Sequence, residues 1–521
     1  MPGRFFPQMI GLAVWWSFLI QSPIYFASAS YRRHVPTAEK RQNFLERTLI
    51  LLDVNTRSPV RVLNDNFLSL QVDPSILKNG WLDFLSSKRL VTLARGLSPA
   101  YLRFGGKRTD FLQFHNLKNL AKFRGPGPDY YLKNYEDDIV RSDIALDKQK
   151  GCKLASHPDM MLELQREKAA QMQQVLLKEQ LSNLYSDVTI TEPNSYRTMV
   201  ARSVNSSQLA QDYIMLKTLL QSVRYYSRAN LYGPNIGRPR KNAILLLDGF
   251  MKNGGSVVDA VTWQHFYIDR RVTKVEDFLK TRLLDTLTDQ ITKVLKIVKM
   301  HAPEKRVWLG GVGPAWAGGI SNLSDTFAAG LLWLNTLGIS AMQGIDVVLR
   351  HSFFDYGYSH LVDQQFNPLP DYWLSLLFKR LVGPRVLAVQ VAGLQRKPRP
   401  GKVIRDKLRI YAHCTSFTNH NYVRGSITIY IINLHRSRKK IKLAGTLRNK
   451  TVHQYLLQPF GADGLHSKSV QLNGEHLLML DSDTFPELKP RTLRAGRTIL
   501  MPPVSIGFYV IKNINAYACR R

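Results

Sequence analysis

A chain of 521 residues with 44% hydrophobic and 21% charged residues has enough apolar content for a large core, which excludes an intrinsically disordered protein. The length allows a barrel-sized domain together with a smaller second domain. Because 72 Lys and Arg face only 39 Asp and Glu, the net charge of +33 predicts a polyanionic partner: nucleic acid, an anionic membrane or a sulfated glycan.

The N-terminus has the pattern of a secretory signal peptide, which we place at residues 1–29. Arg4 precedes an apolar run over residues 9–20, and Ala27-Ser28-Ala29 fits a small-x-small cleavage site. The alternative is a membrane anchor, but the run is short against the ~20 apolar residues that a span needs. Secretion makes nucleic acid a poor partner and an extracellular sulfated glycan a good one.

The cysteines and sequons agree with a secreted chain. Of three cysteines, Cys414 and Cys519 lie in the β-rich C-terminal region and are the predicted disulfide, which leaves Cys152 unpaired. Three glycosylation sequons begin at Asn205, Asn322 and Asn449. No Cys/His spacing suggests zinc, and no metal or cofactor is expected.

The first third of the chain mixes clear elements with an irregular segment. Residues 48–54 (TLILLDV) predict a strand, 67–72 a weaker strand, and 84–106 a helix followed by a strand at 101–104. Residues 110–157 contain Gly-Pro-Gly-Pro and many charges, which predicts an irregular linker. A long helix is predicted over 158–184.

Strands and helices then alternate over some 300 residues. Helices are predicted at 208–227, 324–337 and 371–381, one or two helices at 275–301, and strands at 257–268, 307–309 and 344–354. This alternation predicts an α/β fold with a (β/α) barrel over residues 60–385. Short alternating strands after residue 386, at 408–411, 426–432 and 506–511, predict an antiparallel β-sandwich at 386–521.

Thr191-Glu192-Pro193-Asn194-Ser195 resembles one half of a glycosidase active site. A Glu-Pro at the end of a barrel strand commonly carries the acid/base carboxylate of a sugar-cleaving enzyme, and most such enzymes need two carboxyl groups. The candidate second strand, residues 307–312 (VWLGGV), ends without an acid. The pattern therefore favours a chain that binds sugar without cutting it.

Several long motifs identify the relationship. They are LARGLSPAYLRFGG (93–106), YGPN (232–235), VTW (261–263), LVD (361–363), NPLPDYW (367–373) and KSVQLNG (468–474). In these motifs the chain resembles the heparanase family, glycoside hydrolase family 79, from about Thr48 to the C-terminus. GWLDF (80–84), DKQKGC (147–152) and LHRSRKK (434–440) resemble the inactive branch of that family.

The resemblance implies a (β/α)8 barrel of the TIM type, incomplete here, carrying a β-sandwich that also includes residues 45–58. The chain lacks a segment of about two βα units before Glu192. In the family that segment holds the cysteine that pairs with the position of Cys152. A splice variant or an incomplete gene model would produce such a chain.

The same resemblance implies roles for individual residues. Glu192 matches the acid/base position, and Thr191 replaces the asparagine that precedes it. Gly311 stands at the nucleophile position and can form no glycosyl ester, a loss that typically costs ~10⁴-fold or more in rate. Phe266 replaces a tyrosine beside the nucleophile, and Gln264 a neighbouring histidine.

A basic sugar cleft is also implied. Asp73, Arg240 and Arg271 match positions that line the cleft, and Lys107 and Arg238 replace uncharged residues there. Arginine forks suit sulfate and carboxylate recognition.

Several of the candidate residues also have purely structural interpretations. Glu192 can be a solvent-exposed glutamate at the edge of the deletion. Glu304 and Asp325 are poor substitutes for the nucleophile because neither lies at the strand end. Arg95 and Arg103 are expected as salt-bridge partners inside the barrel, and Trp263 and Trp316 as packing residues.

Three basic clusters are candidates for glycan binding: Arg396, Lys397 and Arg399 with Lys402 and Arg405; Arg436, Arg438, Lys439 and Lys440 with Lys442; and Arg238, Arg240 and Lys241. We expect a secreted glycoprotein of the matrix and cell surface that binds heparan sulfate and heparin without cleaving it. It would compete with heparanase for proteoglycan chains. The alternatives are a weakly active retaining endo-β-glucuronidase and a non-functional truncated variant.

Overall fold

A computed structural model describes residues 49–73, 86–105, 188–189, 204–222, 224, 226–268, 274–316, 318–354, 357–397, 399 and 402–520. All of them belong to one compact unit of the chain, Thr48–Arg521. The predicted signal peptide, the linker at 110–157 and the helix at 158–184 lie outside the described residues. In the described part of the chain, no helix is both long and apolar enough to cross a membrane.

The elements follow one another in this order. The first are β1 (Leu49–Val54), β2 (Arg61–Val62), β3 (Leu68–Val72), α1 (Lys88–Gly96), β4 (Leu102–Phe104) and β5 (Val188–Thr189). The alternating region contains α2 (Ser206–Ser222), β6 (Leu231–Ile236), α3 (Lys241–Gly254), β7 (Ala260–Ile268), α4 (Thr281–His301), β8 (Arg306–Ala315), α5 (Phe327–Gln343), β9 (Val347–His351) and α6 (Pro370–Leu381).

The C-terminal region consists of strands. They are β10 (Val382–Leu387), β11 (Val389–Ala392), β12 (Leu408–Thr415), β13 (Ile427–Asn433), β14 (Lys439–Leu443), β15 (Val452–Pro459), β16 (Val470–Leu472), β17 (Glu475–His476), β18 (Arg491–Leu493), β19 (Ile499–Met501) and β20 (Ser505–Ile511).

The barrel strands form a parallel sheet of seven, in the order β4-β3-β9-β8-β7-β6-β5. Alternation of parallel strands with helices is the pattern of a (β/α)8 barrel, so the predicted fold class is confirmed. Within the described residues the sheet is one strand short of eight, with β4 and β5 at its edges. The sequence predicted a larger shortage because β5 has only two residues and no apolar run.

Helix α4 shows why the helices pack on this sheet. Its buried residues Leu284, Leu287, Ile291, Val294 and Val298 recur at spacings of three and four, which puts them on one face. Burying each such side chain contributes about 1.5–3 kcal/mol. A 3₁₀-helix at Val275–Leu279 precedes α4, so the region predicted to hold one or two helices, 275–301, has two helical segments.

The sandwich consists of two sheets. One has nine strands and runs β17-β16-β15-β20-β13-β12-β10-β2, with β18 beside β15; the other runs β11-β1-β14-β19. In β1 the buried residues Ile50, Leu52 and Val54 alternate with more exposed ones and pack into the sandwich core. β2 and the start of β10 fall within the range predicted for the barrel, but both pair in the sandwich.

A disulfide stabilises the sandwich, and a buried ion pair stabilises the barrel. Cys414 in β12 and Cys519 form the predicted disulfide, across 105 positions of sequence. Arg350 in β9 is fully buried, lies 2.7 Å from an Asp371 carboxylate oxygen of α6, and donates to the carbonyl oxygen of Ser359 at 2.9 Å. This pair holds the loop after β9 against the barrel.

Candidate functional site

Gly311 lies inside β8, four residues before the strand ends at Ala315. The register between β7 and β8 shifts just before it, so that Trp263 faces Leu309 and Gln264 faces Gly311. A Cβ at Gly311 would be 3.3 Å from Gln71 Oε1 and 3.5 Å from Gln264 Cγ. The position therefore points at side chains of two other barrel strands, where a reactive group of a barrel enzyme is placed.

Gly310 beside it is sterically closed. A Cβ there would be 2.2 Å from Asn235 Oδ1 and 3.1 Å from Thr262 Cβ. Asn235 is held in place because its N–H donates to Thr262 Oγ1 at 2.9 Å. The two consecutive glycines thus differ in their surroundings. Gly310 has no room for a side chain, whereas a side chain at Gly311 would make only moderately tight contacts.

Polar groups of β3 and β4 surround Gly311. Arg103 Nη1 donates to Gln71 Oε1 at 3.3 Å and to the Gly310 carbonyl oxygen. Gln71 Nε2 donates to the Gly105 carbonyl oxygen at 2.6 Å. Arg103 therefore contacts the barrel interior, as predicted, and its guanidinium bonds to the backbone immediately before the nucleophile position; its predicted salt bridge stays a prediction.

Asp73 and His351 extend this polar layer at the ends of β3 and β9. Asp73 is 6% exposed, and its Oδ2 lies 3.7 Å from His351 Nε2. Phe266 contacts the His351 ring edge-on, with 6.0 Å between ring centroids. The structure thus brings together Asp73, Phe266, Gln264 and Gly311, all of which the resemblance placed in one site.

Arg238, Arg240 and Lys241 follow the C-terminal end of β6, the same end of the parallel sheet that carries Asp73. Arg238 is half-buried, and Arg240 and Lys241 are exposed at the start of α3. Their role as a sugar-binding cluster stays a prediction. Glu192, Thr191, Lys107, Arg271 and Cys152 lie outside the described residues.

Sequence reasoning missed His265, which is fully buried beside the site. Its Nδ1 lies 2.8 Å from Gln290 Oε1, and its ring meets the Tyr267 ring edge-on at 4.4 Å between centroids. Burial lowers the pKa of His265 to about 3, with a further lowering from Arg238. His265 is therefore neutral at pH 7 and packs between β7 and the helices. His265 could have been identified from the sequence as a polar residue within the largely apolar strand β7.

Two expectations about packing residues are wrong. Arg95 is exposed in the last turn of α1, on a helix outside the barrel rather than in its interior. Trp316 is 51% exposed, because it lies one residue beyond β8 at the mouth of the barrel. Trp263 is fully buried, as predicted.

The candidate substitutes for the nucleophile lie elsewhere. Glu304 is exposed before β8 begins, 3.8 Å from Lys305 Nζ, and precedes Gly311 by seven positions. Asp325 is buried in the loop before α5, with Oδ2 2.7 Å from Lys468 Nζ. Within the described ranges, no group of three His, Cys, Asp or Glu side chains could hold a metal ion.

The two C-terminal basic clusters lie on the sandwich surface. Arg396, Lys397, Arg399, Arg436, Arg438 and Lys440 are exposed, and Lys439 is half-buried. Burial lowers the pKa of Lys439, and Lys407 lowers it further, against a raising effect of Asp406. The sequon residues Asn205, Asn322 and Asn449 are exposed as well. Glycan binding and glycosylation at these positions stay predictions.

Known proteins match this chain over almost its whole length. The chain is 66% identical to inactive heparanase-2 of Homo sapiens, over 95% of this chain and 93% of that protein. It belongs to the heparanase family. A family model described as Glycosyl hydrolase family 79, N-terminal domain, matches residues 193–338 of this heparanase-family chain.

A second sequence relative and a solved structure are also similar to this chain. Heparanase of Mus musculus is 40% identical over 90% of this chain and 94% of that protein. The solved structure of alpha-L-arabinofuranosidase from Thermotoga maritima has a TM-score of 0.56 at 13% identity, covering 89% of this chain and 99% of that one. This structural likeness shows the fold alone, that of TIM-barrel glycosidases.

The alignment to the human relative also bears on the predicted deletion. It spans 553 positions, more than the 521 residues of this chain, of which it covers 95%. Some of its positions therefore face gaps in this chain. This agrees with a family segment that the chain lacks.

Proposed function

We propose that this heparanase-family chain is a secreted, non-catalytic protein that binds heparan sulfate and heparin. It competes with heparanase for proteoglycan chains at the cell surface and in the matrix. Gly311 supports the non-catalytic part, because a glycine supplies no carboxylate for the second group that glycoside cleavage needs. The name of the 66% identical relative, inactive heparanase-2, agrees.

The observation that carries the binding proposal is the meeting of two basic clusters around Asp406. Asp406 Oδ2 accepts the Arg396 N–H at 3.2 Å, and its Oδ1 lies 3.6 Å from His435 Nε2. The Leu434 N–H donates to the Lys407 carbonyl oxygen at 2.9 Å. Clusters some 40 positions apart in sequence thus form one surface.

We call this the Asp406 surface, and it consists of Arg396, Lys397, Lys407, Arg436, Arg438 and Lys439. Burial acts to raise the pKa of Asp406, but hydrogen bonds from His435, Leu408 and Arg396 outweigh it and lower that pKa to about 2. Asp406 is therefore an anion at pH 7, and together with Asp285, whose Oδ2 lies 4.0 Å from Arg396 Nη1, it faces six cations. The surface keeps a strong positive charge, which suits a sulfated polyanion.

Heparin-affinity chromatography tests the binding proposal. The triple variant Lys397→Ser, Arg436→Ser, Arg438→Ser is expected to elute at clearly lower salt than the unchanged protein, because each lost cation removes a counterion-releasing contact. The matched control replaces Lys293, Lys296 and Lys299, three exposed lysines of α4, with serine. Equal shifts for both variants would mean that net charge alone retains the protein, and the proposal would fail.

A reducing-end assay on heparan sulfate separates a binding protein from a weakly active endo-β-glucuronidase. We expect no turnover above the buffer rate, and no change on Glu192→Gln. Loss of a nucleophile typically lowers the rate ~10⁴-fold or more. Turnover that Glu192→Gln abolishes would contradict the proposal and favour the enzyme.

A further inference from the structure

A second concave site lies between the barrel and the sandwich. It is a pocket of about 640 Å³, within the size range of small-ligand sites. Its walls come from the loop before α5, the loop between β9 and α6, α1, and the segment from Lys468 to Met479 around β16 and β17. None of the residues described around Gly311 lines it.

The charged groups of this pocket are compensated. Lys468 Nζ lies 2.7 Å from Asp325 Oδ2. Arg89 Nη2 donates to Asn367 Oδ1 at 3.0 Å, and Asn367 Nδ2 donates to Asp363 Oδ2 at 3.2 Å, so one amide links the second cation to the second carboxylate. With two cations and two carboxylates, the lining has no net formal charge, in contrast with the +33 of the chain.

Two buried side chains of the pocket have hydrogen-bonding atoms that lack a partner in the described part of the chain. They are Nδ1 of His360 and Oδ1 of Asp325, and each residue is only 5% exposed. Burial lowers the pKa of His360 to about 4, so its imidazole is neutral at pH 7. Buried polar atoms of native proteins are nearly always hydrogen-bonded, so these two atoms mark the side of the pocket where a water molecule or a ligand would supply a bond.

The remaining lining is mixed: Gln364, Gln365 and Ser469 are polar, and the other side chains are apolar. Leu369, Leu477 and Met479 are buried in the wall, and Tyr358 and Leu478 are 45% and 56% exposed at the rim. A ligand for this pocket thus needs an apolar surface, hydrogen-bonding groups and no net charge. A sugar ring with hydroxyl and acetamide groups has all three properties.

We propose that this pocket binds an uncharged, N-acetylated sugar residue. A hydroxyl or an amide of the sugar hydrogen-bonds at the His360 and Asp325 side of the pocket, and its C–H face packs on Leu477 and Met479. This site is independent of the Asp406 surface and of the proposed function.

Such a sugar has two sources, an external glycan or a glycan of this chain. The predicted sequon residue Asn322 is exposed, and its carbonyl oxygen lies 2.9 Å from Nδ1 of His466, two positions before Lys468. A glycan attached there would start close to the segment that forms one wall of the pocket.

Isothermal titration of the full-length chain, produced without N-glycans, with N-acetylglucosamine tests the site. We expect a dissociation constant on the order of 1 mM, as for a small ligand with ordinary efficiency, and no dependence on salt. Ser469→Trp fills the pocket and is expected to weaken binding at least about tenfold. Ser222→Trp, on the exposed end of α2, is the matched control and should leave binding unchanged.

The comparison ligands are glucuronate and a sulfated glucosamine. Equal or tighter binding of either, or unchanged binding in Ser469→Trp, overturns the proposal. Ser469→Trp must keep the cooperative thermal unfolding and heparin elution of the unchanged protein, which shows that it folds. Because the sugar titration measures an uncharged ligand and the heparin experiment compares variants of the Asp406 surface with the α4 control, failure of this proposal is distinguishable from failure of the proposed function.

Asn322→Gly separates the two sources, and its positive φ of 56° suits glycine. If the chain's own glycan occupies the pocket, added N-acetylglucosamine binds to Asn322→Gly but not to the glycosylated protein. If the source is external, both forms bind. If neither form binds, the proposal is wrong.

Discussion

Asp371→Ala is expected to lower the free energy of unfolding by about 3–5 kcal/mol, because it leaves the fully buried Arg350 without its carboxylate. The guanidinium cannot reach water, and its other bonds go to the carbonyl oxygens of His351 and Ser359. Chemical denaturation followed by tryptophan fluorescence measures the change. The loop after β9, which borders both the Gly311 site and the pocket, should become more susceptible to protease.

The matched control is Asp289→Ala. Arg405 Nη2 lies 2.7 Å from Asp289 Oδ1, the same distance as in the buried pair, but both side chains are largely exposed. Exposed ion pairs contribute about 0–1 kcal/mol, so this variant should be nearly neutral. Similar losses for the two variants would show that burial is not the cause. Replacing Arg350 and Asp371 together by Met and Leu should recover much of the loss.

Removing the disulfide with Cys414→Ala and Cys519→Ala is expected to cost about 2–5 kcal/mol. The bond closes a loop of 105 positions, and in the chain-entropy account a loop of this size is near the upper end of that range. It also ties the C-terminal end of the chain to β12. Thermal unfolding with and without the pair measures the effect as a lower midpoint.

Cys152→Ala is the control for this experiment, since the resemblance implies that Cys152 has lost its partner. That variant should unfold at the temperature of the unchanged protein. A comparable loss would instead show that Cys152 forms a bond that stabilises the fold. A double variant that is as stable as the unchanged protein would contradict the prediction for Cys414 and Cys519.

The periodicity of apolar residues in the sequence predicted the helices and strands that bury one face. The buried face of α4 and the alternating pattern of β1 are examples, and both elements form close to where they were expected. β6 was not predicted, because Gly233-Pro234-Asn235 has the composition of a turn. In the structure Asn235 has a φ of 47° within the strand, and its backbone bonds to β7 instead of making a turn.

The glycines of β8 hid its true length. The predicted strand began at residue 307 and ended at 309, or at 312 in the glycosidase comparison, whereas β8 continues through Gly310, Gly311 and Gly313 to Ala315. Glycine in a strand often marks a bulge or a close backbone approach, and Gly310 has both, with a register shift and Asn235 beside it. Intrinsic strand propensity accounts for the unfavourable effect of glycine in a strand. It does not account for Asn235 on a neighbouring strand, which leaves no room for a side chain at Gly310.

The sequence pattern could not predict contacts between residues that are far apart in the chain. Asp325 was weighed only as a substitute nucleophile, yet it pairs with Lys468 of the other domain. In the same way, Asp406 joins basic clusters that read as two separate runs. The roles of Gly311 and Asp73 came from the family resemblance, because composition does not distinguish a vestigial catalytic position from any other glycine or aspartate.

The pairing of β1 also determines when the sandwich can be completed during synthesis. Leu49 pairs with Lys440, and Leu51 with Lys442, about 390 positions later in the chain. At translation rates of 5–20 residues per second, β1 waits roughly 20–80 s for this partner. Its other edge pairs with β11, which is synthesised about 50 residues before β14. Until these strands emerge, the apolar residues and edges of β1 are unpaired, so the nascent chain is expected to depend on chaperones until its last third has emerged.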